Sequence, residues 1–303
     1  MTRIGMLGIS EGNGHPFSFS AIINGYDRAA FEVAGWPVIL SYLERQPDTA
    51  FGFRNTRVTH AWTQDPDVTA KLCAACRIDH AVDRPEAMLG AVDAVIIGRD
   101  DWEQHAALAM PFLERGVPVF VDKPLTLDAD ELARFRPYLE NGTLMSTSGL
   151  RYAAELDELR GKMSAVGTPR LVAATVLNGI EKYGIHMLDA VAGLGFPKPV
   201  SVTRLNARFE AFSLVLADGT AMTLNCLGNV GKTLHLSVFC DKGHAHVDLH
   251  DNFSAFARTL GHFVKMVETR NPPIPPGQIV DTMNLIRSAK NLAPGETVKL
   301  ANV

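Results

Sequence analysis

The first 123 residues alternate between two hydrophobic periods, and this alternation constrains the fold more than any other feature of the chain. Short apolar runs typical of buried strands are separated by segments in which apolar residues recur every three or four positions, as in a helix facing a core. We predict strands at Thr2–Ile9, Arg57–Trp62, Val92–Ile97 and Val117–Val121, and helices at Val68–Cys76 and Glu103–Arg115. Alternating strands and helices favour a parallel sheet covered on both faces, as in a doubly wound Rossmann-type α/β domain.

Capping signals mark several of the expected helix starts. Asp101 and Asp128 each stand three residues before Gln or Glu, which is the capping-box spacing. Asp65 precedes a proline and predicts an N-cap followed by proline at the first helical position. Ser18 and Ser20 are candidate N-caps of the first helix, which would direct its positive end toward a phosphate.

After residue 123 the pattern changes to a series of strands. We predict a helix, strand and helix at Asp128–Glu140, Thr143–Ser148 and Arg151–Met163, then strands at Arg170–Leu177, Val200–Asn206, Phe209–Leu216, Thr220–Leu227, Leu234–Cys240 and His244–Leu249. Helices at Phe253–Glu268 and Val280–Asn291 would pack on one side of this sheet. The sequence thus predicts a Rossmann-type domain (1–123) followed by an α+β domain with a largely antiparallel open sheet (124–303). The segment Phe31–Asn55 is long for a βαβ connection and is interpreted as an insertion near a cofactor or partner surface.

A glycine-containing loop follows the first predicted strand but departs from the usual dinucleotide-binding spacing. In the G-x-G-x-x-G pattern the loop brings main-chain N–H groups to a cofactor diphosphate, whereas here the glycines are Gly8, Gly12 and Gly14. Gly8 can form the tight turn, and Gly12-Asn13-Gly14 can approach the diphosphate. A lengthened cofactor cradle and a glycine-rich turn without a cofactor both remain open.

The end of the second strand does not decide between NAD and NADP. NAD-specific sheets usually present an acidic residue there for the ribose hydroxyls. In "HAWTQDP" the acidic residue is Asp65, and its capping role accounts for it without a cofactor. Thr63 and Gln64 can bond a ribose in either cofactor.

A lysine stands at the carboxyl end of the fourth predicted strand, in "GVPVFVDKPL". Judged alone, Lys123 is an ordinary exposed lysine at a strand end, but ligands of open α/β sheets bind beyond the carboxyl ends of the strands. The preceding strand, in "DAVIIGRDDWEQH", also ends in polar residues, Arg99 and Asp100, with His105 one turn into the next helix. The two strand ends together indicate a ligand-binding edge.

Four segments, in order along nearly the whole chain, resemble the Gfo/Idh/MocA family, named for glucose–fructose oxidoreductase and inositol dehydrogenase. Asp122-Lys123-Pro124 is similar to the family's Glu-Lys-Pro motif, and "AVIIGRDDWEQHAALA" to its strand, turn and histidine-containing helix. "SGLRY" lies where the family has a strand ending in an arginine–aromatic pair. "KYGIHMLDAVAGLG" is similar to the family's Gly-x-His-x-x-Asp segment.

The resemblance implies hydride transfer between NAD or NADP and a hydroxyl-bearing carbon of a sugar, sugar acid or polyol. It assigns Lys123 to the nicotinamide ribose and the substrate hydroxyl, and His186 to general acid–base catalysis. Arg151, Lys182 and Asp189 are the expected substrate-binding residues. The expected cofactor-binding residues are Gly8, Ser10, Gly12, Asn13, Gly14, Ser18, Thr63, Gln64, Arg99, Asp100, His105 and Lys123. Members often pair through the open face of the second sheet, so a homodimer or homotetramer is expected.

One position departs from the family pattern. Many members carry aspartate four residues before the histidine, where this chain has Lys182. A cation there favours an anionic substrate such as a sugar acid, or it indicates that the dehydrogenase reaction has been lost. The alternative function is therefore a catalytically silent nucleotide- or sugar-binding or regulatory protein on the same fold.

Composition excludes several other classes of protein. A net charge of −4 gives no electrostatic reason to expect nucleic acid or an anionic membrane surface. With no apolar signal segment and four cysteines in 303 residues, we expect a cytoplasmic protein without a disulfide framework. Cys73 and Cys76 are interpreted as buried small hydrophobic residues. His244, His246 and His250 share a strand face with Asp248, but we predict no metal site there.

Overall fold

The computed structural model describes residues 1–53 and 55–300, and these form two compact units. The first unit contains Met1–Thr126, Asp130–Ser146 and Phe256–Ile274. The second contains Leu127–Ala129, Thr147–Ala255 and the chain from Pro275 onward. Within the described residues, no helix is long and apolar enough to cross a membrane.

A six-stranded parallel sheet forms the centre of the first unit. Its strands are β1 Thr2–Leu7, β2 Thr56–Trp62, β3 His80–Ala81, β4 Ala94–Ile97, β5 Val119–Val121 and β6 Leu144–Ser146. Their order is β3-β2-β1-β4-β5-β6, so the order reverses between β1 and β4. This topology confirms the predicted doubly wound sheet, and the reversal is the point at which such sheets bind ligands.

Six helices accompany these strands along the chain. They are α1 His15–Asn24, α2 Arg28–Val33, α3 Pro37–Leu43, α4 Pro66–Ala75, α5 His105–Leu113 and α6 Ala129–Glu140. The Asp65 carboxylate accepts hydrogen bonds from the N–H groups of Asp67 and Val68, which confirms it as the N-cap of α4. The predicted capping box at Asp101 is wrong, because its carboxylate pairs with Arg99 and makes no capping bond.

The insertion at Phe31–Asn55 is helical and packs on α1. It contains the second half of α2, all of α3 and a short 3₁₀ turn at Asp48–Ala50, while Arg54 lies outside the described residues. The Phe31 and Trp36 rings each lie 5.9 Å from the ring of Phe17. The insertion therefore covers apolar side chains of the first helix.

The second unit is built on a seven-stranded, largely antiparallel sheet in the order β12-β11-β7-β10-β9-β8-β13. Its strands are β7 Pro169–Val176, β8 Pro199–Arg204, β9 Glu210–Leu216, β10 Ala221–Cys226, β11 Leu234–Cys240, β12 Gly243–Asp248 and β13 Thr297–Lys299. Among the described strands of this sheet, only β7 and β10 pair in parallel. The remaining helices of the chain are α7 Glu155–Val166, α8 Ile185–Gly193, α9 Asn252–Thr269 and α10 Pro276–Lys290.

The two units do not divide at a single boundary near residue 123. Strand β6 pairs with β5 and therefore extends the first sheet. Helix α9 joins the first unit from Phe256 onward, because Phe256 packs 5.2 Å from Phe19 and Phe263 packs 5.8 Å from Phe120. The expectation that this helix packs on the second sheet is thus wrong for most of its length.

The cysteine pair and the histidines of β12 are the other clusters that the sequence offers as candidate ligand sites. Cys76 is completely buried, and burial raises the pKa of the Cys73 thiol to about 11. His244 and His246 lie on one face of β12 with Asp248, whereas His250 follows the end of the strand. In residues 1–53 and 55–300, no three His, Cys, Asp or Glu side chains are grouped for a metal ion.

Candidate functional site

Three predicted residues meet at the carboxyl ends of β1, β4 and β5. The Ser10 hydroxyl donates a 2.6 Å hydrogen bond to Asp100 Oδ1, and the Asp100 N–H donates to Ser10 Oγ at 3.1 Å. The Lys123 ammonium lies 3.7 Å from Asp100 Oδ2. Lys123 is only 4% exposed, so its ammonium group is buried beside the Asp100 carboxylate and is not solvated.

The residue before this lysine, Asp122, is a buried carboxylate with a second set of polar contacts. Asp122 Oδ2 lies 2.5 Å from His15 Nδ1 and accepts a 2.9 Å bond from the Asn13 amide, while Oδ1 accepts the Lys123 N–H. Burial by itself raises the pKa of Asp122, but the charge and hydrogen bond of His15, the charge of Lys123 and the Asn13 bond together hold it well below its usual range. Asp122 is therefore a buried anion that ties the loop after β1 to the end of β5.

The three glycines of the loop differ in their backbone conformation and in the atoms that surround them. Gly8 has φ +75°, and a Cβ there would lie 2.4 Å from Arg99 Cδ. At Gly14 a Cβ would lie 2.4 Å from Ile39 Cδ1, so this glycine makes room for the insertion. Gly12 has φ +74° and no atom within 4 Å of a built Cβ, which leaves its main chain open to a ligand. The structure thus fits a cradle best at Gly12.

The start of α1 offers fewer phosphate donors than expected. Asn13 Oδ1 accepts the N–H of His15 at 3.0 Å, and Pro16 has no N–H. The predicted N-caps Ser18 and Ser20 are wrong, because α1 begins at His15 and places both inside the helix. Ser18 is completely buried, and its hydroxyl bonds that of Tyr42 at 2.5 Å.

Three other predicted cofactor residues organise the loops themselves. The Gln64 amide bonds both the N–H and the carbonyl of Ile9. The Thr63 hydroxyl donates to the Asp65 carbonyl at 2.7 Å, and the residue is nearly buried. His105 is fully buried, with its ring nitrogens 2.9 Å and 3.0 Å from the carbonyl oxygens of Leu125 and Arg99. We therefore do not retain Thr63 and His105 among the proposed cofactor contacts.

In the second unit, His186 is held by a serine. It lies in the first turn of α8, directly after a π-helical turn at Ile180–Gly184. Its Nδ1 lies 2.6 Å from Ser148 Oγ, and its ring packs edge-on against Tyr183 at 5.4 Å. The Leu150 N–H also donates to Ser148 Oγ at 3.2 Å, which fixes the hydroxyl position.

Asp189, one turn further along α8, forms hydrogen bonds with residues 147 and 148. Its Oδ2 accepts bonds from the Thr147 hydroxyl at 2.9 Å and the Ser148 N–H at 2.6 Å. Arg151 lies 3.9 Å from Oδ1 and bonds Gln278. Burial raises the pKa of Asp189 despite these favourable contacts. His186 and Asp189 thus share a helix face, as their spacing predicts, and both contact Ser148.

Lys182 lies on the exposed part of the π-helical turn, one turn before His186. The adjacent Glu181 pairs with Lys290 at 2.7 Å. The unusual cation is therefore at the surface of the second unit and not in its core.

The first unit fits a dinucleotide on its own geometry. The sheet reverses order between β1 and β4, the main chain at Gly12 is open, and a lysine, an aspartate and a serine converge at the neighbouring strand ends. Ser10, Gly12, Asn13, Asp100 and Lys123 are the residues positioned to hold such a cofactor. The loss of donors at the start of α1 makes the loop after β1 the main candidate for diphosphate contacts.

A family model matches the first part of the chain. Residues 34–142 match GFO_IDH_MocA, described as an oxidoreductase family with an NAD-binding Rossmann fold. This part of the chain is therefore similar to the Gfo/Idh/MocA oxidoreductase family. The match confirms the predicted family and the nicotinamide class of cofactor, and it begins beyond the glycine loop and α1. No curated protein sequence matches the chain.

Several solved structures have the same fold over their whole length. Myo-inositol 2-dehydrogenase from Lactobacillus plantarum has 13% identity and a TM-score of 0.77, with 99% of each chain covered. A myo-inositol dehydrogenase from Corynebacterium glutamicum has 16% identity and a TM-score of 0.74, with 100% of each chain covered. Myo-inositol dehydrogenase from Lactobacillus casei, solved with NAD(H) and myo-inositol, has 15% identity and a TM-score of 0.72, covering 100% of this chain and 97% of that one. These likenesses confirm the predicted fold beyond the residues that the family model matches.

Sequence reasoning missed the residues that act as partners. Those it left without a role are His15, Asp122, Thr147, Ser148 and Gln278. Asp122 and Ser148 were visible as strand-end residues beside assigned ones. Their partners come from distant parts of the chain, so spacing alone does not reveal them.

Proposed function

We propose that the protein transfers a hydride between NAD or NADP and a hydroxyl-bearing carbon of a sugar, sugar acid or polyol. The main observation behind this proposal is the cluster of Ser10, Asp100 and Lys123 at the carboxyl ends of strands in the parallel sheet. Residues 34–142 also match a family described as having an NAD-binding Rossmann fold. The polyol class is supported by the inositol dehydrogenases among the similar structures.

In the proposed reaction, two side chains act on the substrate hydroxyl. Lys123 binds and polarises the reacting oxygen with its ammonium group. His186 takes the hydroxyl proton as the carbinol carbon becomes a carbonyl, and returns it in the reverse reaction. A bound nicotinamide supplies the hydride acceptor or donor. Arg151 and Asp189 support the substrate side of the second unit by holding the turn beside His186.

Lys182 favours sugar acids among the candidate substrates. It is an exposed cation one turn before His186, where a carboxylate would be expected for a neutral polyol substrate. A positive charge attracts an anionic substrate and repels none of the candidate neutral sugars. The substrate screen should therefore contain sugar acids beside sugars and polyols.

Calorimetric titration with NAD⁺, NADH, NADP⁺ and NADPH tests the proposal. We expect binding at about micromolar Kd, or about −8 kcal/mol, for at least one of the four. Gly12→Val should abolish this binding, because it places a β-branched residue at φ +74° and blocks the open main chain. Gly116→Val is the matched control, since Gly116 has φ +71° and open surroundings but precedes β5 at the opposite end of the sheet.

Each outcome of the titration discriminates between functions. If a cofactor binds to the wild-type protein and to Gly116→Val but not to Gly12→Val, the loop after β1 binds the cofactor and a substrate screen is justified. Binding of a cofactor with no turnover across sugars, polyols and sugar acids favours the catalytically silent alternative. A folded protein that binds none of the four contradicts hydride transfer.

We also propose that the chain forms a homodimer or homotetramer through the outward face of the second sheet. Val215 and Phe239 are exposed on this sheet, at 43% and 42%. Exposed apolar groups on an open sheet face favour burial against a second copy. Sedimentation equilibrium should give a dimer or tetramer mass, and Phe239→Lys should lower the association constant. A monomer at all concentrations would contradict the proposal.

A further inference from the structure

We propose that His15 binds the cofactor diphosphate through its Nε2 atom, and that cofactor binding is coupled to the uptake of a proton at this atom. The inference rests on the proposed function, because it requires that the first unit binds a dinucleotide. His15 follows directly after the loop that contains Gly12, whose open main chain is the candidate for diphosphate contacts.

The contact with Asp122 determines what each ring nitrogen of His15 can do. His15 Nδ1 lies 2.5 Å from Asp122 Oδ2. An aspartate is ionised near neutral pH even at its usual pKa, and the pKa of Asp122 is lower still, so its carboxylate has only acceptor atoms. Nδ1–H is therefore the donor of this hydrogen bond in both the neutral and the protonated ring. A proton that the ring gains or loses is carried by Nε2.

The ring of His15 is held by contacts that leave Nε2 open. Phe19 stacks on it with the ring centroids 4.8 Å apart, and Phe256 packs edge-on at 5.0 Å within the same unit. The side chain of His15 is 19% exposed. In the described part of the chain, Nε2 makes no hydrogen bond and is not one of the buried polar atoms without a partner. Nε2 is therefore accessible to a ligand.

The start of α1 lacks main-chain donors that a phosphate would otherwise use. The N–H of His15 is bonded to Asn13 Oδ1, and Pro16 has no N–H. The Lys123 ammonium is buried beside Asp100, which balances its charge. A protonated imidazole at this place would give the diphosphate a charge-assisted hydrogen bond, which is stronger than a bond from a neutral donor.

The groups around the ring allow it to gain a proton when an anion binds. The carboxylate in contact with His15 is Asp122, and Lys123 is the next residue at the end of β5. The contacts from α1 and α9, which are Phe19 and Phe256, carry no charge. A diphosphate at Nε2 favours the charged form of the imidazole, because an opposite charge stabilises it. Binding therefore takes up a proton wherever the free ring is neutral, and the affinity falls as the pH rises.

Calorimetry of two variants of the full-length protein tests the inference, with whichever of the four cofactors binds. His15→Asn keeps an amide that can donate to Asp122 but removes Nε2, so it should weaken binding by about 10- to 100-fold. His15→Gln places a neutral amide near the position of Nε2 and should recover part of the affinity. Titrations in two buffers of different ionisation enthalpy should show net proton uptake by the wild-type protein and none by either variant. His250→Gln, at an exposed histidine of the second unit, is the matched control and should equal the wild type in both measurements.

A second readout is made on the wild-type protein. Nitrogen-15 NMR of histidine-labelled protein reports the protonation of each ring nitrogen, with His15→Gln used to assign the signals. The titrations are made at a pH at which NMR finds the free ring neutral. We expect Nδ1–H with and without the cofactor, and a gain of the proton at Nε2 when the cofactor is added.

The outcomes separate this inference from the proposed function. Cofactor binding without proton uptake, an unchanged Nε2 signal, or an unchanged Kd in His15→Asn would overturn the inference and leave the proposed function standing. A folded protein that binds none of the four cofactors would contradict the proposed function itself, and this inference with it.

Discussion

Replacing His186 with glutamine is expected to lower kcat by about 10²–10⁴-fold, the range that a positioned proton-transfer group contributes. Glutamine keeps a polar side chain beside Ser148 but cannot take a proton near neutral pH. Steady-state kinetics on a substrate from the screen measure the effect. Cofactor affinity should change little, because the residues positioned to hold the cofactor belong to the first unit.

The control for this variant is the same substitution at a surface histidine. His250 follows the end of β12 and is exposed, so His250→Gln should retain wild-type turnover. A His186→Gln variant with unchanged kcat would show that another group moves the proton. An equal loss in both variants would indicate a general effect on the fold and not a catalytic role.

Hydrophobic periodicity was sufficient to predict both sheets but not the division between them. The apolar runs that end near Ile97 and Val121 are buried strands of a parallel sheet, as predicted. The strand Leu144–Ser146 and the helix Asn252–Thr269 were predicted as elements but assigned to the wrong unit. Periodicity shows that an element has a buried face, and only tertiary contacts such as Phe263 with Phe120 show what covers that face.

The glycine loop shows why motif spacing was ambiguous. In the sequence, Gly14 looks like part of a phosphate-binding loop. In the structure, Ile39 and Trp36 of the insertion occupy the space that a side chain at this position would need. A glycine required by close packing and a glycine required by a ligand have the same sequence signature. The insertion, whose role the sequence left open, supplies the packing that explains this position.

The candidate site was predictable where it depends on strand ends and not where it depends on side-chain pairs. Carboxyl ends of parallel strands meet at one edge, so Ser10, Asp100 and Lys123 could be grouped before their contacts were known. Asp122 and His15 are 107 positions apart, and nothing in their spacing predicts a direct bond. Polar contacts between residues so far apart in the chain were not predictable from this one sequence.

Asp122→Asn is expected to destabilise the protein by roughly 1.5–3 kcal/mol at neutral pH, because it removes a buried carboxylate whose charge strengthens its hydrogen bonds with the Asn13 amide, the Lys123 N–H and the His15 ring. The substitution preserves the shape of the side chain while it removes the charge facing His15 and Lys123. Denaturation by urea, followed by circular dichroism, measures the free energy of unfolding. Asp93→Asn is the matched control, since Asp93 pairs with Arg3 in an exposed contact that contributes little to stability.

The pH dependence separates this electrostatic effect from a loss of packing. The pKa of Asp122 is lower in the folded than in the unfolded protein, so its ionised form adds stability above the unfolded value of about 4. That contribution is lost as pH falls toward the depressed folded pKa, because both states then bind the proton. The difference between wild type and Asp122→Asn should therefore be largest near neutral pH and narrow steadily below about pH 4. A difference that stays constant down to pH 3 would assign the destabilisation to altered hydrogen bonding around Asn13 and not to the buried charge.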